Sequence, residues 1–155
     1  MGSNIQVGGT HYKNMKIQPI DLMIALGYGW PFCVCNVIKY VSRWKYKNGP
    51  EDLDKVGQYL DFMHDLKKKN DPSYVAAMDK ERDVLYDQME LINQYVDTNI
   101  LPTLEKSIIV EAVFGCTTRA YVALQQLKNT SEVMSWKPEH PKETAVPPAP
   151  KKEVR

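Results

Sequence analysis

Neither sign of charge is in excess in this chain: 20 lysines and arginines stand against 19 aspartates and glutamates, a net charge of +1. That balance argues against a protein that coats nucleic acid through overall charge and leaves only a local basic patch open. There is no apolar run long enough to span a membrane and no signal-peptide pattern at the start. Met1-Gly2 is not a myristoylation signal, because Gln6 stands where Ser or Thr is required. Cysteine is scarce. Cys33, Cys35 and Cys116 are odd in number and lack framework spacing, which points to buried free thiols in a reducing cytosol. A zinc site from Cys33, Cys35 and His11 or His64 would need a second ligand pair at the right spacing, and the sequence has none.

The usual phosphate-binding motifs are also missing. Gly8-Gly9-Thr10-His11 lacks the lysine and helix start of a P-loop, and there is no Gly-x-Gly-x-x-Gly, His-Glu-x-x-His or Gly-x-Ser-x-Gly. A standard nucleotide-binding fold is excluded, so any phosphate site must be built from side chains on helices. No strand-like alternation stands out. The expected fold is all-α.

What is present suits one soluble domain, or one domain with an appendage: 155 residues, 43% hydrophobic and 25% charged. Pro19 opens a short helix with Ile20, Met23 and Ile24 inward, and Gly27 and Gly29 end it. A long helix is expected from about Phe32 to Lys47. Asn48-Gly49-Pro50 breaks it, and a second helix runs from Pro50 to about Lys68 with Leu53, Val56, Leu60 and Met63 inward. The short break implies an antiparallel hairpin. Asp71-Pro72 should open a third helix carrying a heptad seam of Val75, Met78, Arg82, Leu85, Met89, Ile92 and Val96. A fourth is expected after Pro102, running to about Lys128, with small residues Ala112, Gly115, Cys116, Ala120 and Ala123 on one face. The organisation is therefore a helical-hairpin domain over 1–70, a second helical hairpin over 71–130 for packing or oligomerisation, and a disordered Pro/Lys-rich tail over 131–155.

One stretch carries the chemistry. On a 3.6-residue helix, Asn36, Lys39, Arg43 and Lys47 share a sector, while Val34, Val37, Ile38, Val41 and Trp44 lie opposite. No acidic residue lies between Cys33 and Pro50 to neutralise the stripe. Arginine can grip phosphate with two parallel hydrogen bonds and lysine adds a point charge. A solvated surface face is the plain alternative. Tyr40 borders the stripe and is either a stacking residue or a core-edge tyrosine. Asp52, Lys55 and Tyr59 share a sector of the next helix. Asp52 is either a helix-start carboxylate or a group orienting Arg43 or a metal.

Together, His11-Tyr12, Ile17-Gln18-Pro19-Ile20-Asp21, Asn36-x-x-Lys39-Tyr40-x-x-Arg43, Asp52-Leu53-x-Lys55 and Tyr59 resemble a small helical domain family of tailed bacteriophages. That family was long of unknown function and includes a deoxynucleoside monophosphate kinase without a P-loop. The resemblance covers roughly the first 70 residues and departs at Cys35, where the family often has glycine. It implies phosphoryl transfer from a nucleoside triphosphate to dTMP or dGMP in the cytoplasm of an infected bacterium, by a homo-oligomer. Mg2+ would be carried by the nucleotide, with no bound organic cofactor and no metal held by the protein. From the charge balance and the lack of an apolar run, no membrane or nucleic-acid partner is expected. Lys39, Arg43 and Asp52 are then the catalytic candidates, and His11, Tyr12, Gln18, Asn36, Tyr40, Lys47, Lys55 and Tyr59 the substrate-binding ones.

Three other functions compete. A non-catalytic nucleotide-sequestering protein would need the cations but no acid-base group. A helical pyrophosphatase would need carboxylates around magnesium, yet Asp61 and Asp65 project away from Asp52 on the second helix. A helical protein-interaction module would bind no nucleotide at all.

Overall fold

Proline and glycine punctuate the chain where the helices change direction. The computed structural model describes residue 12 and residues 15–138, so His11 and the segments 1–11 and 139–155 lie outside it. Among the described residues it is all-helical, with α1 Pro19–Ala25, α2 Gly29–Arg43, a 3-10 turn Trp44–Tyr46, α3 Pro50–Lys68, α4 Pro72–Met78, α5 Arg82–Thr98, α6 Thr103–Val113, α7 Thr117–Lys128 and α8 Ser131–Met134. No helix among these residues is long and apolar enough to cross a membrane.

The helix α2 starts three residues before the expected Phe32. Pro31 is tolerated there because first-turn N–H groups have no helical partner to lose. Gly29 also permits close packing, since a Cβ at that position would meet Ile24 at 2.9 Å and Leu66 at 3.3 Å. At its other end α2 stops at Arg43, short of the expected Lys47, and tightens into the 3-10 turn. Gly49 then takes φ +55, a region that disfavours side chains, and Pro50 opens α3 with Glu51 and Asp52 in its first turn.

Contacts between α2 and α3 run in opposite order along the chain: Arg43 meets Asp52, Phe32 meets Tyr59, and Gly29 abuts Leu66. Between them lie Cys33, Val37, Val41, Trp44, Leu53, Val56, Leu60 and Met63, all at most 1% exposed. The expected inward faces of both helices are therefore buried, with Val34 and Ile38 at the edge. The same core includes Ile108, Ile109 and Ala112 of α6 and Ala120, Leu124 and Leu127 of α7. Residues before and after position 70 thus share one core.

The second half departs from the sequence expectation in two places. The heptad seam does not lie on one helix, because residues 79–81 separate α4 from α5. Tertiary contacts override the local pattern here. In α4, capped by Asp71, Ser73 accepts the Trp30 backbone N–H at 2.9 Å and Tyr74 packs on the Trp30 ring. Val75 and Arg82 are consequently exposed, Leu85, Met89 and Ile92 half-buried, and only Val96 of α5 is buried.

The expected fourth helix is also two helices. Gly115 at φ +77 ends α6, with Cys116 N donating to Glu111 O at 2.7 Å and Gly115 N to Ala112 O at 3.2 Å. This is the Schellman arrangement, and it turns α7 back against α6. Small residues at the seam, Ala112 and Ala120, are fully buried. Beyond Lys128 the chain does not leave the core where the tail was expected to begin. Thr130 caps α8 and Val133 is buried.

Of the three thiols only Cys33 is buried; Cys116 is intermediate and Cys35 is exposed. Residues two apart on a helix face away from each other, so Cys33 and Cys35 could not both be core.

Candidate functional site

The fold brings the outer faces of α2 and α3 together near the Asn48-Gly49-Pro50 turn. Its centre is Asp52, whose side chain is fully buried. The Arg43 guanidinium reaches it with Nε to Oδ2 at 3.0 Å and Nη2 to Oδ1 at 3.4 Å. Asn48 Nδ2 donates to Oδ1 at 3.0 Å, and Lys55 Nζ stands 3.5 Å from the same oxygen. Burial alone would push the Asp52 carboxyl up. The hydrogen bonds from Asn48 and Arg43 and the charges of Arg43 and Lys55 outweigh it and hold Asp52 below its ordinary range. Likewise, burial would lower Lys55, but Glu51 at 2.9 Å, together with Asp52 and Tyr40, raises it. Both groups are charged at neutral pH.

Above this ionic layer lies an aromatic one. The Tyr40 and Tyr59 rings stack with centroids 5.8 Å apart, and Phe32 and Phe62 pack against Tyr59. Three cations gather around the Tyr40 ring: Lys39 Nζ at 4.5 Å, Arg43 Cζ at 4.7 Å and Lys55 Nζ at 5.4 Å. Lys39 is exposed, and its ammonium donates to Asn36 Oδ1 at 2.8 Å. Asn36 is itself buried and anchored through Nδ2 to Phe32 O at 2.9 Å. Burial, with Tyr40, Cys33 and Tyr12 nearby, pushes the Tyr59 phenol up to about 12, so it stays protonated.

Asn36, Lys39, Tyr40, Arg43, Asp52, Lys55 and Tyr59 therefore form one contiguous cluster, with Tyr12 near enough to help raise the Tyr59 phenol. Lys47 does not belong to it. The helix ends before Lys47, whose backbone turns to φ −134 and ψ −82 and leaves the side chain exposed outside the stripe. At the start of α1, Gln18 is exposed and its N–H donates to Asp21 at 3.0 Å; no contact joins it to the cluster. His11 lies outside the described residues.

Sequence reasoning missed Asn48, which a turn-former reading obscured, and the aromatic pair Phe32 and Phe62. The one available signal was spacing: Asn48 and Asp52 are four apart, the reach of a side-chain contact across a helix start.

No protein-held metal fits this site. Asp52 directs both oxygens at Arg43, Asn48 and Lys55, and Glu51 holds Lys55. Among the described residues no three His, Cys, Asp or Glu groups converge. Asp61 is raised by burial and by Asp65, with His64 opposing, but it has no third carboxylate beside it.

Residues 8–61 match the model of the family DUF3310, described as a protein of unknown function. The match covers about a third of the chain and takes in the cluster from Asn36 to Tyr59, stopping one residue short of Phe62. No curated protein and no solved structure matches the chain.

Proposed function

We propose that this cluster binds the phosphates of a nucleotide, and that the protein is a phage nucleotide kinase acting on a deoxynucleoside monophosphate of the dTMP or dGMP class. The observation that carries the reading is Lys39. It is an exposed ammonium held in place by a neutral amide and a tyrosine face rather than by a carboxylate. Beside it, Arg43 is oriented by Asp52 and keeps 31% of its side chain exposed. Two aimed cations over an aromatic wall suit a phosphate with its base or sugar packed alongside.

In this reading Lys39 and Arg43 touch the phosphates and offset the charge that builds during transfer, the main task of a phosphoryl-transfer site. Asp52, Asn48 and Asn36 are positioning residues. Lys55 adds positive potential from below, Tyr40 and Tyr59 form the wall, and magnesium arrives on the triphosphate. The protein works in the cytoplasm of an infected bacterium as a homo-oligomer, with α5 the element most open to a second copy.

One observation favours a second reading, a nucleotide-sequestering protein without turnover. Both carboxylates at the cluster, Glu51 and Asp52, already hold cations, which leaves no free base at the site.

Incubation of dTMP or dGMP with dTTP, GTP or ATP, with and without magnesium, separates these readings when products are resolved by chromatography. Diphosphate formed by wild type and lost in Arg43→Ala supports the kinase. Nucleotide bound by wild type but recovered unchanged supports sequestration. Pyrophosphate released from triphosphate alone, or no binding at all, overturns both.

A further inference from the structure

The C-terminal end of the described chain returns to the turn that builds the cluster. Glu132 of α8 pairs with Lys45 Nζ at 2.7 Å. Four residues on, Trp136 donates its indole N–H to Lys45 O at 2.9 Å. Its ring packs so closely on Gly49 that a Cβ there would clash with it. These contacts are independent of each other and close on the same five residues, 45–49. The clasp is itself anchored: Val133 is buried, Thr130 caps α8, and Lys128 pairs with Asp54 of α3.

What the clasp holds matters for the cluster. The segment between Tyr46 and Pro50 has no regular structure and turns through Lys47 and Gly49 in unusual backbone conformations. Asn48, which donates to Asp52, lies within this turn. Two backbone bonds meet at Gly49: its N–H donates to Trp44 O at 2.8 Å and closes the turn, and its carbonyl accepts Asp52 N at 3.0 Å at the start of α3. An irregular surface turn with few bonds of its own opens locally at low free energy unless something covers it. Trp136 is that cover, and a large aromatic is suited to it.

We infer that Trp136 is a positioning residue of the anion site, acting through Gly49 and Asn48 on the Asp52–Arg43 pair, with Glu132 and Lys45 as its second tether. Lifting the clasp loosens Asn48, frees Arg43 from a fixed orientation and weakens phosphate binding, so the C-terminal segment controls the site from outside it. The functional consequence rests on the nucleotide reading above; the coupling of clasp to carboxylate does not.

The test uses the full chain as wild type, Trp136→Ala and Trp136→Phe. Three quantities are followed: amide hydrogen exchange at Gly49 and Asp52, the titration of the Asp52 carboxyl by NMR, and affinity for dTMP and dGMP. In Trp136→Ala, exchange at both amides should accelerate and the Asp52 pKa should rise toward its ordinary 3.8. Nucleotide affinity should fall roughly five- to tenfold, the size expected when about one hydrogen bond's worth of positioning is lost. A purely structural role would lower thermal stability without moving the Asp52 titration. Wild-type exchange and titration in Trp136→Ala overturn the inference. Should that variant fail to fold, Trp136→Phe decides: losing the indole donor to Lys45 O and part of the ring over Gly49 must still speed Gly49 exchange and raise Asp52, and no change overturns it. If wild type binds neither nucleotide, the nucleotide reading falls, while exchange and titration still judge the clasp.

Discussion

Arg43 and Asp52 sit on different helices, nine residues apart, and meet through two nitrogen–oxygen contacts at 3.0 and 3.4 Å. The Asp52 side chain is fully buried and that of Arg43 about two-thirds so. The pair therefore fixes the end of α2 against the start of α3 and aims a cation outward at the same time. Burying such a carboxylate is tolerable only because its oxygens are filled by Arg43, Asn48 and Lys55.

Replacement of Asp52 by Asn keeps the shape and removes the charge. Since Arg43 is partly solvated, the stability loss should be modest, about 1–2 kcal/mol by urea unfolding. Loss of nucleotide binding should be larger than that of stability, because Arg43 would no longer be held in one orientation. Equal binding in wild type and Asp52→Asn would remove Asp52 from the site.

The same pair sets an acid limit. Asp52 is depressed in the folded protein, so its stabilisation is fully present above the unfolded value of 3.8 and is lost as pH falls through the lower folded value. The stability gap between wild type and Asp52→Asn, followed by circular dichroism, should therefore be constant from neutral pH to about 4 and narrow below it.

At the alkaline end two buried groups act in the opposite sense. Burial pushes the Cys33 thiol from 9.0 up to about 12, and the Tyr59 phenol from 10.0 up to about 12. Their contributions are complete below those unfolded values and fade as pH rises toward 12. Melting temperature should drop between pH 9 and 11, and Cys33→Ala should flatten the lower part of that drop. In native protein at pH 8, a thiol reagent should label exposed Cys35 and leave Cys33 until the chain unfolds.

Leu53 and Leu91 make a contrasting pair. Leu53 is 0% exposed in the shared core, and Leu53→Ala should cost about 2–5 kcal/mol in chemical denaturation. Leu91 on α5 is 63% exposed, so Leu91→Ala should change monomer stability by less than about 0.5 kcal/mol. A shift in sedimentation behaviour of Leu91→Ala without loss of stability would mark α5 as a subunit contact; an unchanged profile would place any self-association elsewhere.

Glu105 is a different kind of buried acid. Its Oε1 accepts the Trp44 indole N–H at 3.2 Å and lies 3.6 Å from Lys45, while Oε2 has no protein partner. Glu105→Ala orphans the indole donor inside the core and should cost about 1–3 kcal/mol. Glu105→Gln retains an acceptor and should recover most of it, as unfolding midpoints would reveal.

Where local rules act alone, the sequence sufficed. Pro50 with Glu51 and Asp52 defined the start of α3, apolar spacing defined the inner faces of α2 and α3, and the lack of alternation defined the all-α class. The grouping of Asn36, Lys39 and Arg43 followed from helical geometry, and their meeting with Asp52, Lys55 and Tyr59 from the shortness of the break. These features depend on residues within one helix or on two helices joined by a short break. Tertiary structure decided the rest. The chain breaks between α4 and α5 although Asp79-Lys80-Glu81 carries no breaker, with Tyr74 of α4 packed on Trp30, and Gly115, one of a small-residue stripe, is the bend between α6 and α7 with Met78 against it. Lys47 left the basic stripe because the helix tightened to meet the α3 turn. Trp136, in a segment that reads as tail, closed on Gly49 some ninety positions earlier. No local pattern encodes such a contact, since its energy exists only after the core has brought both ends of the chain together.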